Sequence, residues 1–99
     1  MARKKSVAPP ATAAAWGSDF TMRVARTGSH VSSIADNHLA AAEMSSAIDD
    51  IVAAYGVSGK APFIEGLIAQ LEERGTPHRA EQLRTFLQTG HFSAQAAAA

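Results

Sequence analysis

Among the residues that could do chemistry, the segment Gly56-Val57-Ser58-Gly59-Lys60-Ala61 comes nearest to a reactive loop. Glycines beside a lysine can fold backbone amides round a phosphate. A phosphate-binding loop, however, needs four residues between its first glycine and the Gly-Lys pair, then Ser or Thr to reach a magnesium ion. Here two residues separate Gly56 from Gly59, and alanine follows Lys60, so nucleotide binding is not expected. His30, His38, His78 and His91 show no metal-ligand spacing, and there is no cysteine to supply a thiolate or a disulfide. Asp49 and Asp50 are adjacent, so on a helix they point to different sides and cannot share a proton as an acid–base pair. No catalytic constellation, metal site or cofactor site emerges, and the chain is expected not to be an enzyme.

The elements that would position any binding residues come from composition and pattern. Ninety-nine residues make one small domain. The hydrophobic fraction is 46%, but 22 of those residues are Ala, which leaves 24 larger apolar side chains. So thin a core invites completion by a second copy, and a homodimer is expected. Apolar runs are too short to span a bilayer. The start MARKKSVAPPATAAAW lacks the apolar stretch of an export signal, so a cytoplasmic location is expected. Net charge is zero, yet unevenly spread. Residues 1–26 carry five cations against one carboxylate, residues 27–73 carry one lysine against seven carboxylates, and residues 74–99 carry three arginines against one glutamate. A basic front thus precedes an acidic body.

Residues 1–18 read as a disordered basic arm carrying Arg3, Lys4 and Lys5, followed by Pro9-Pro10 and small residues. Within 20–26, Phe20, Met22 and Val24 alternate with Thr21 and Arg23, the period-two signature of a strand, and Gly28-Ser29 reads as the turn after it. An isolated strand must pair, and the same strand of a second copy would serve. Three helices follow, over about 33–55, 61–74 and 77–89. Met44, Ile48, Ile51, Val52 and Tyr55 share one face of the first, with Ser33 or Asp36 as its cap and Gly56 as its stop. Pro62 fixes the start of the second, whose stripe is Phe63, Ile64, Leu67, Ile68 and Leu71. Gly66 in that stripe marks a close helix crossing. Thr76 caps the third helix, with Pro77 at its first position and Ala80, Leu83, Phe86 and Leu87 facing inward, before Gly90 ends it. The expected fold is therefore mainly α, with one strand and three helices in a single domain over 19–90. Residues 91–99 form a frayed Ala-rich tail.

The run Ile48-Asp49-Asp50-Ile51-Val52-Ala53-Ala54-Tyr55-Gly56, continued by Val57-Ser58 and by Phe63, Gly66, Leu67 and Leu71, resembles the two-helix half of the ribbon-helix-helix DNA-binding family over about residues 48–75. In that family a strand before the first helix pairs with its copy, and the two-stranded ribbon enters the major groove. The resemblance implies that the strand at 20–26 would read DNA through Thr21 and Arg23, with Arg26 beside them. It also implies that Ser58, Gly59 and Lys60 would meet phosphate at a helix N-terminus. Arg3, Lys4 and Lys5 in the arm would add salt-sensitive affinity for double-stranded DNA. Two features depart from the family. Some twenty residues separate Arg26 from the matched helix pattern, and the start of the second helix lacks the usual polar run.

Two functions follow from these features. One is a small dimeric DNA-binding regulator (a repressor, an antitoxin or a plasmid or phage accessory factor) that uses the ribbon and the arm. The other is an acidic helical protein-interaction module, an adaptor or inhibitor, with no nucleic-acid role. The second takes a protein partner through the acidic helices and leaves the basic arm incidental.

Overall fold

The computed structural model describes residues 12–90. Arg3, Lys4 and Lys5 of the expected arm, and the expected tail at 91–99, lie outside them. The described residues form a 3-10 turn (Ala13–Trp16) and four helices: α1 (Ser18–Ser32), α2 (Asn37–Tyr55), α3 (Lys60–Glu73) and α4 (Pro77–Thr89). A second 3-10 turn (Val57–Gly59) joins α2 to α3.

The strand expected at 20–26 is absent; those residues lie inside α1. The error has a simple cause. A spacing of four residues, as between Phe20 and Val24, satisfies a period of two and also lies close to one helical turn. Met22 alone favoured the strand, and it is half exposed on the outer side of α1. The buried set is Phe20, Val24, Gly28 and Val31, a helical stripe that runs on past the supposed turn at Gly28-Ser29. With the strand goes the need for a second strand to pair with it. Residues 13–18, assigned to the arm, are also structured: Trp16 stacks on Phe20 and meets Tyr55 edge-on. The mainly helical class stands, with four helices where three were expected.

Local chemistry sets the helix ends. Ser32 and Ser33 donate their hydroxyls to Ser29 O and His30 O, and these bonds satisfy late carbonyls of α1 without a glycine. The next helix starts later than residue 33, because Asp36 is the cap: its Oδ1 accepts the Leu39 amide at 2.8 Å. At Gly56, φ is +88°, which stops α2. The α3 terminus closes on Gly75, with the Thr76 amide bonded to Leu71 O and the Gly75 amide to Glu72 O, a Schellman arrangement. Thr76 is the N-cap residue of α4, as expected, but its side chain makes no capping bond. Its hydroxyl instead donates to Leu71 O at 2.9 Å, sealing the previous helix.

The side-chain register gives the helix directions. Phe20 of α1 lies against Gly59 and Phe63, Val24 against Gly66, and Gly28 against Gln70, so α1 and α3 run the same way. Tyr55 returns to Asp19 and Phe20, and His30 meets Glu43, so α2 is antiparallel to α1. Lys60 lies over Phe86, bringing the start of α3 to the end of α4. The central element is α3, packing closely on α1 and α4, whereas α1 and α2 touch more sparsely. One apolar cluster runs through all four helices, from Phe20 and Val24 through Met44, Ile48 and Ile51 to Leu67, Leu71 and Leu83. Of the residues expected to face inward in α4, Ala80 and Leu83 are buried, Phe86 is half-buried and Leu87 is exposed.

Arg79 is the largest fully buried side chain, with 1% exposure. Its guanidinium donates to Ile34 O and Ala35 O, each at 3.0 Å, and to Asn37 Oδ1 and Gln82 Oε1. It therefore ties α4 to the α1–α2 connection. Burial pulls its pKa down, and the nearby Asp36 carboxylate opposes that shift. Its Nε and the Gln82 Nε2 are buried without a partner.

Two stability predictions follow. Gly28→Ala should gain about 1 kcal/mol of helix propensity. A β-carbon there, however, would lie 2.9 Å from Gln70 Cβ, and relieving such overpacking costs about 1–3 kcal/mol. Net destabilisation is expected in urea unfolding, and a stabilised variant would contradict the close packing. Arg79→Met should cost about 2–4 kcal/mol, because it strands the acceptors that the fork serves. Arg79→Lys should recover only part, since an ammonium lacks the planar fork. An unfolding midpoint for the Met variant equal to that of the wild type would refute this role.

Candidate functional site

The sparse contact between α1 and α2 leaves an open groove along their seam. It comprises two adjoining cavities of about 160 and 240 Å³, which share Arg26, Thr27, Ala47 and Asp50. Helical periodicity builds the two walls. Arg23, Arg26, Thr27 and His30 recur at steps of three, one and three along α1. Glu43, Ser46, Ala47 and Asp50 recur at the same steps along α2. One wall is thus cationic and the other anionic. Ile51 and Phe63, both buried, contribute to the deeper end.

Bridges between the helices close the groove at both ends. At one end His30 Nε2 lies 3.4 Å from Glu43 Oε1, an ion pair when the imidazole is protonated. At the other, the Tyr55 hydroxyl donates to Asp19 Oδ2, which also accepts Arg23 Nε at 3.0 Å. The Arg23 guanidinium sits 5.7 Å from the Tyr55 ring centre. The Tyr55 hydrogen bond and then Arg23 hold the Asp19 carboxyl below its ordinary range, while Asp19 holds the Tyr55 hydroxyl above its own. Between the bridges the groups are less committed. Arg26 donates to the Met22 sulfur at 3.1 Å. Among the described residues, Arg26 and Asp50 form no ion pair, and the Thr27 and Ser46 hydroxyls make no side-chain hydrogen bond.

This arrangement redistributes the residues expected to touch DNA. Thr21 does not face outward from a ribbon; its hydroxyl donates to Gly17 O at 2.9 Å within the first turn of α1. Arg23 is held by Asp19 and Tyr55. Gly59 is buried, and a β-carbon there would press on Tyr55 and Phe20. Lys60 lies 5.3 Å from the Phe86 ring centre, towards α4. Ser58 is exposed in the 3-10 turn. Arg23 and Arg26 do come together, but beside the carboxylate of Asp50 and on the α2 side of α1, whereas Lys60 turns to α4. No single basic face gathers them. The helix–turn–helix implied over 48–75 is present as α2 and α3, with Ile48, Ile51, Phe63, Leu67 and Leu71 buried. Among the described residues the ribbon that defines the resemblance is not.

Thr27, Glu43 and Ser46 were not singled out from the sequence, and His30 was weighed only as a metal ligand. The signal that would have found them is the three-one-three spacing on both helices, visible only once 18–32 is read as helical. Among the described residues no group of three or more His, Asp or Glu side chains converges to hold a metal ion. None of the described helices is long and apolar enough to cross a membrane.

The depressed Asp19 carboxyl makes the bridge sensitive to acid. A carboxyl whose folded pKa lies below its unfolded value contributes stability above the unfolded pKa and loses it as pH falls through the folded one. Asp36, lowered chiefly by the Leu39 amide, behaves likewise. An NMR titration should therefore place both midpoints below those of unfolded peptides. Tyr55→Phe should raise the Asp19 midpoint without moving that of Asp36; an unmoved Asp19 would refute the bridge.

Comparison with protein-family models, with curated proteins and with solved structures finds no match to this chain, so the functional reading stands on its own residues.

Proposed function

We propose that this protein is a helical protein-interaction module whose binding face is the groove between α1 and α2. One observation carries the reading: the groove is open, carries the half-buried Ala47 between its walls, and sets a cationic wall against an anionic one with Arg26 and Asp50 outside any ion pair. Protein surfaces combine apolar contact with charges of both signs, and such complementarity selects partners and sets the register of docking. Polyanionic nucleic acid fits less well, because Glu43 and Asp50 repel phosphates along the whole α2 side. The outward face of α2 adds Asp49, which lies exposed and outside the groove. Without a ribbon, the DNA reading retains no assembled surface among the described residues, and its remaining basis is the sequence of Arg3, Lys4 and Lys5.

The test places a photo-crosslinking amino acid at Ala47, in the groove, and separately at Ala69, exposed on α3, with the full chain expressed in its own cells. A discrete protein adduct from position 47, absent from position 69 and lost on adding Asp50→Lys, is expected. Equal adducts from both positions would remove the groove from the reading. So would DNA as the sole adduct, together with salt-sensitive binding to duplex DNA in vitro.

A further inference from the structure

We infer that the groove takes a short extended peptide segment of its partner, about three residues long. The segment sets one apolar side chain over Ala47, which lines both cavities, and turns an acidic side chain to Arg26 and a basic one to Asp50. This inference rests on the protein-interaction reading and specifies the ligand that reading requires.

Length is the first argument. The bridges at Arg23–Asp19–Tyr55 and His30–Glu43 both cross from α1 to α2. Arg23 and His30 stand seven positions apart on α1, a rise of about 10 Å at about 1.5 Å per residue. An extended chain advances about 3.3 Å per residue, so the space between the bridges holds about three residues. A helix is about 10–12 Å wide with its side chains; it would rest on the bridges rather than enter between them. The closed ends therefore favour an extended segment over a docked helix.

Chemistry is the second. The middle of the groove offers a guanidinium, two hydroxyls and a carboxylate, from Arg26, Thr27, Ser46 and Asp50. The hydroxyls of Thr27 and Ser46 can each donate to or accept from a peptide main chain. Arg26 suits a carboxylate, which its planar fork can bind through two parallel hydrogen bonds. Asp50 accepts from an ammonium or a guanidinium. Ala47, half-buried and lining both cavities, supplies apolar contact, with the polar groups fixing the ligand's orientation. A segment of one charge sign would meet repulsion from one wall, whereas a segment of mixed sign satisfies both.

The probe is the blocked pentapeptide Gly-Glu-Leu-Lys-Gly, titrated into the isotopically labelled full chain and followed by amide NMR shifts. Three controls replace Glu with Gln, Lys with Gln, or Leu with Ser. Shifts are expected at Arg26, Thr27, Ala47 and Asp50. Exposed ion pairs contribute about twofold to fivefold each in affinity, so each charge control should weaken binding by that factor, as should the Ser control through lost apolar contact. Asp50→Asn should weaken the Lys-bearing peptides and leave the Gln-for-Lys peptide unchanged, and Arg26→Gln should do the same for the Glu-bearing ones. Both side chains are exposed, so the variants should keep wild-type melting curves, which is checked in parallel. No groove shifts at millimolar peptide, or a loss that ignores which peptide charge is present, would overturn the inference. If the crosslinker at position 47 still captures a protein in that case, the interaction reading survives and only its peptide ligand is wrong.

Discussion

The close approach of α1 to α3 is the constraint on which the rest of the structure depends. Gly28 and Gly66 face this contact with no β-carbon, opposite Gln70 and Val24, so rows spaced by four residues on the two helices can interdigitate. That contact commits residues 18–32 to a helix, places Phe20 and Val24 in the core, and makes α3 the central element. It also determines what α2 cannot do. With α1 drawn onto α3, α2 meets α1 chiefly through side chains at the two ends of their seam. The groove is what remains between them.

Charge is arranged around that seam in two different ways. At its ends, Asp19, Arg23, Tyr55, His30 and Glu43 are spent on holding α1 and α2 together. Behind it, the buried Arg79 holds the α1–α2 connection to α4 through neutral acceptors: two backbone carbonyls and the side-chain oxygens of Asn37 and Gln82. Fixing a buried cation through so many acceptors sets where α2 begins, and hence the register of its anionic wall against α1. Arg26 and Asp50, in the middle of the seam, form no ion pair among the described residues.

Much of this was legible in the sequence, and the failures have physical causes. The stop at Gly56, Asp36 as one of the two caps offered, Pro62 in the first turn of α3 and the crossing at Gly66 each rest on a local rule, and each holds. At Phe20-Met22-Val24 the rule was ambiguous, because four-residue spacing fits strand and helix alike. Only the continuation to Gly28 and Val31 separates them. Thr76 satisfied a capping pattern yet bonds backwards to Leu71, since hydroxyls serve carbonyls as readily as amides. The groove was illegible for a different reason. It is a property of two helices side by side, so its spacing pattern carries no meaning until α1 is known to be helical. Arg79 looks in the sequence like any surface arginine of a helix; only the tertiary position of residues 34–37 makes it a hub.

The measurement that tests this account most directly is the NMR assignment of residues 18–32 in the full chain. A continuous helical set of α-carbon shifts is expected across that segment, with nuclear Overhauser contacts from the Gly28 α-protons to the Gln70 side chain. Those contacts would establish the α1–α3 packing that opens the groove. Extended shifts over 20–26, with contacts between the same residues of two copies, would contradict it and return the chain to a paired ribbon.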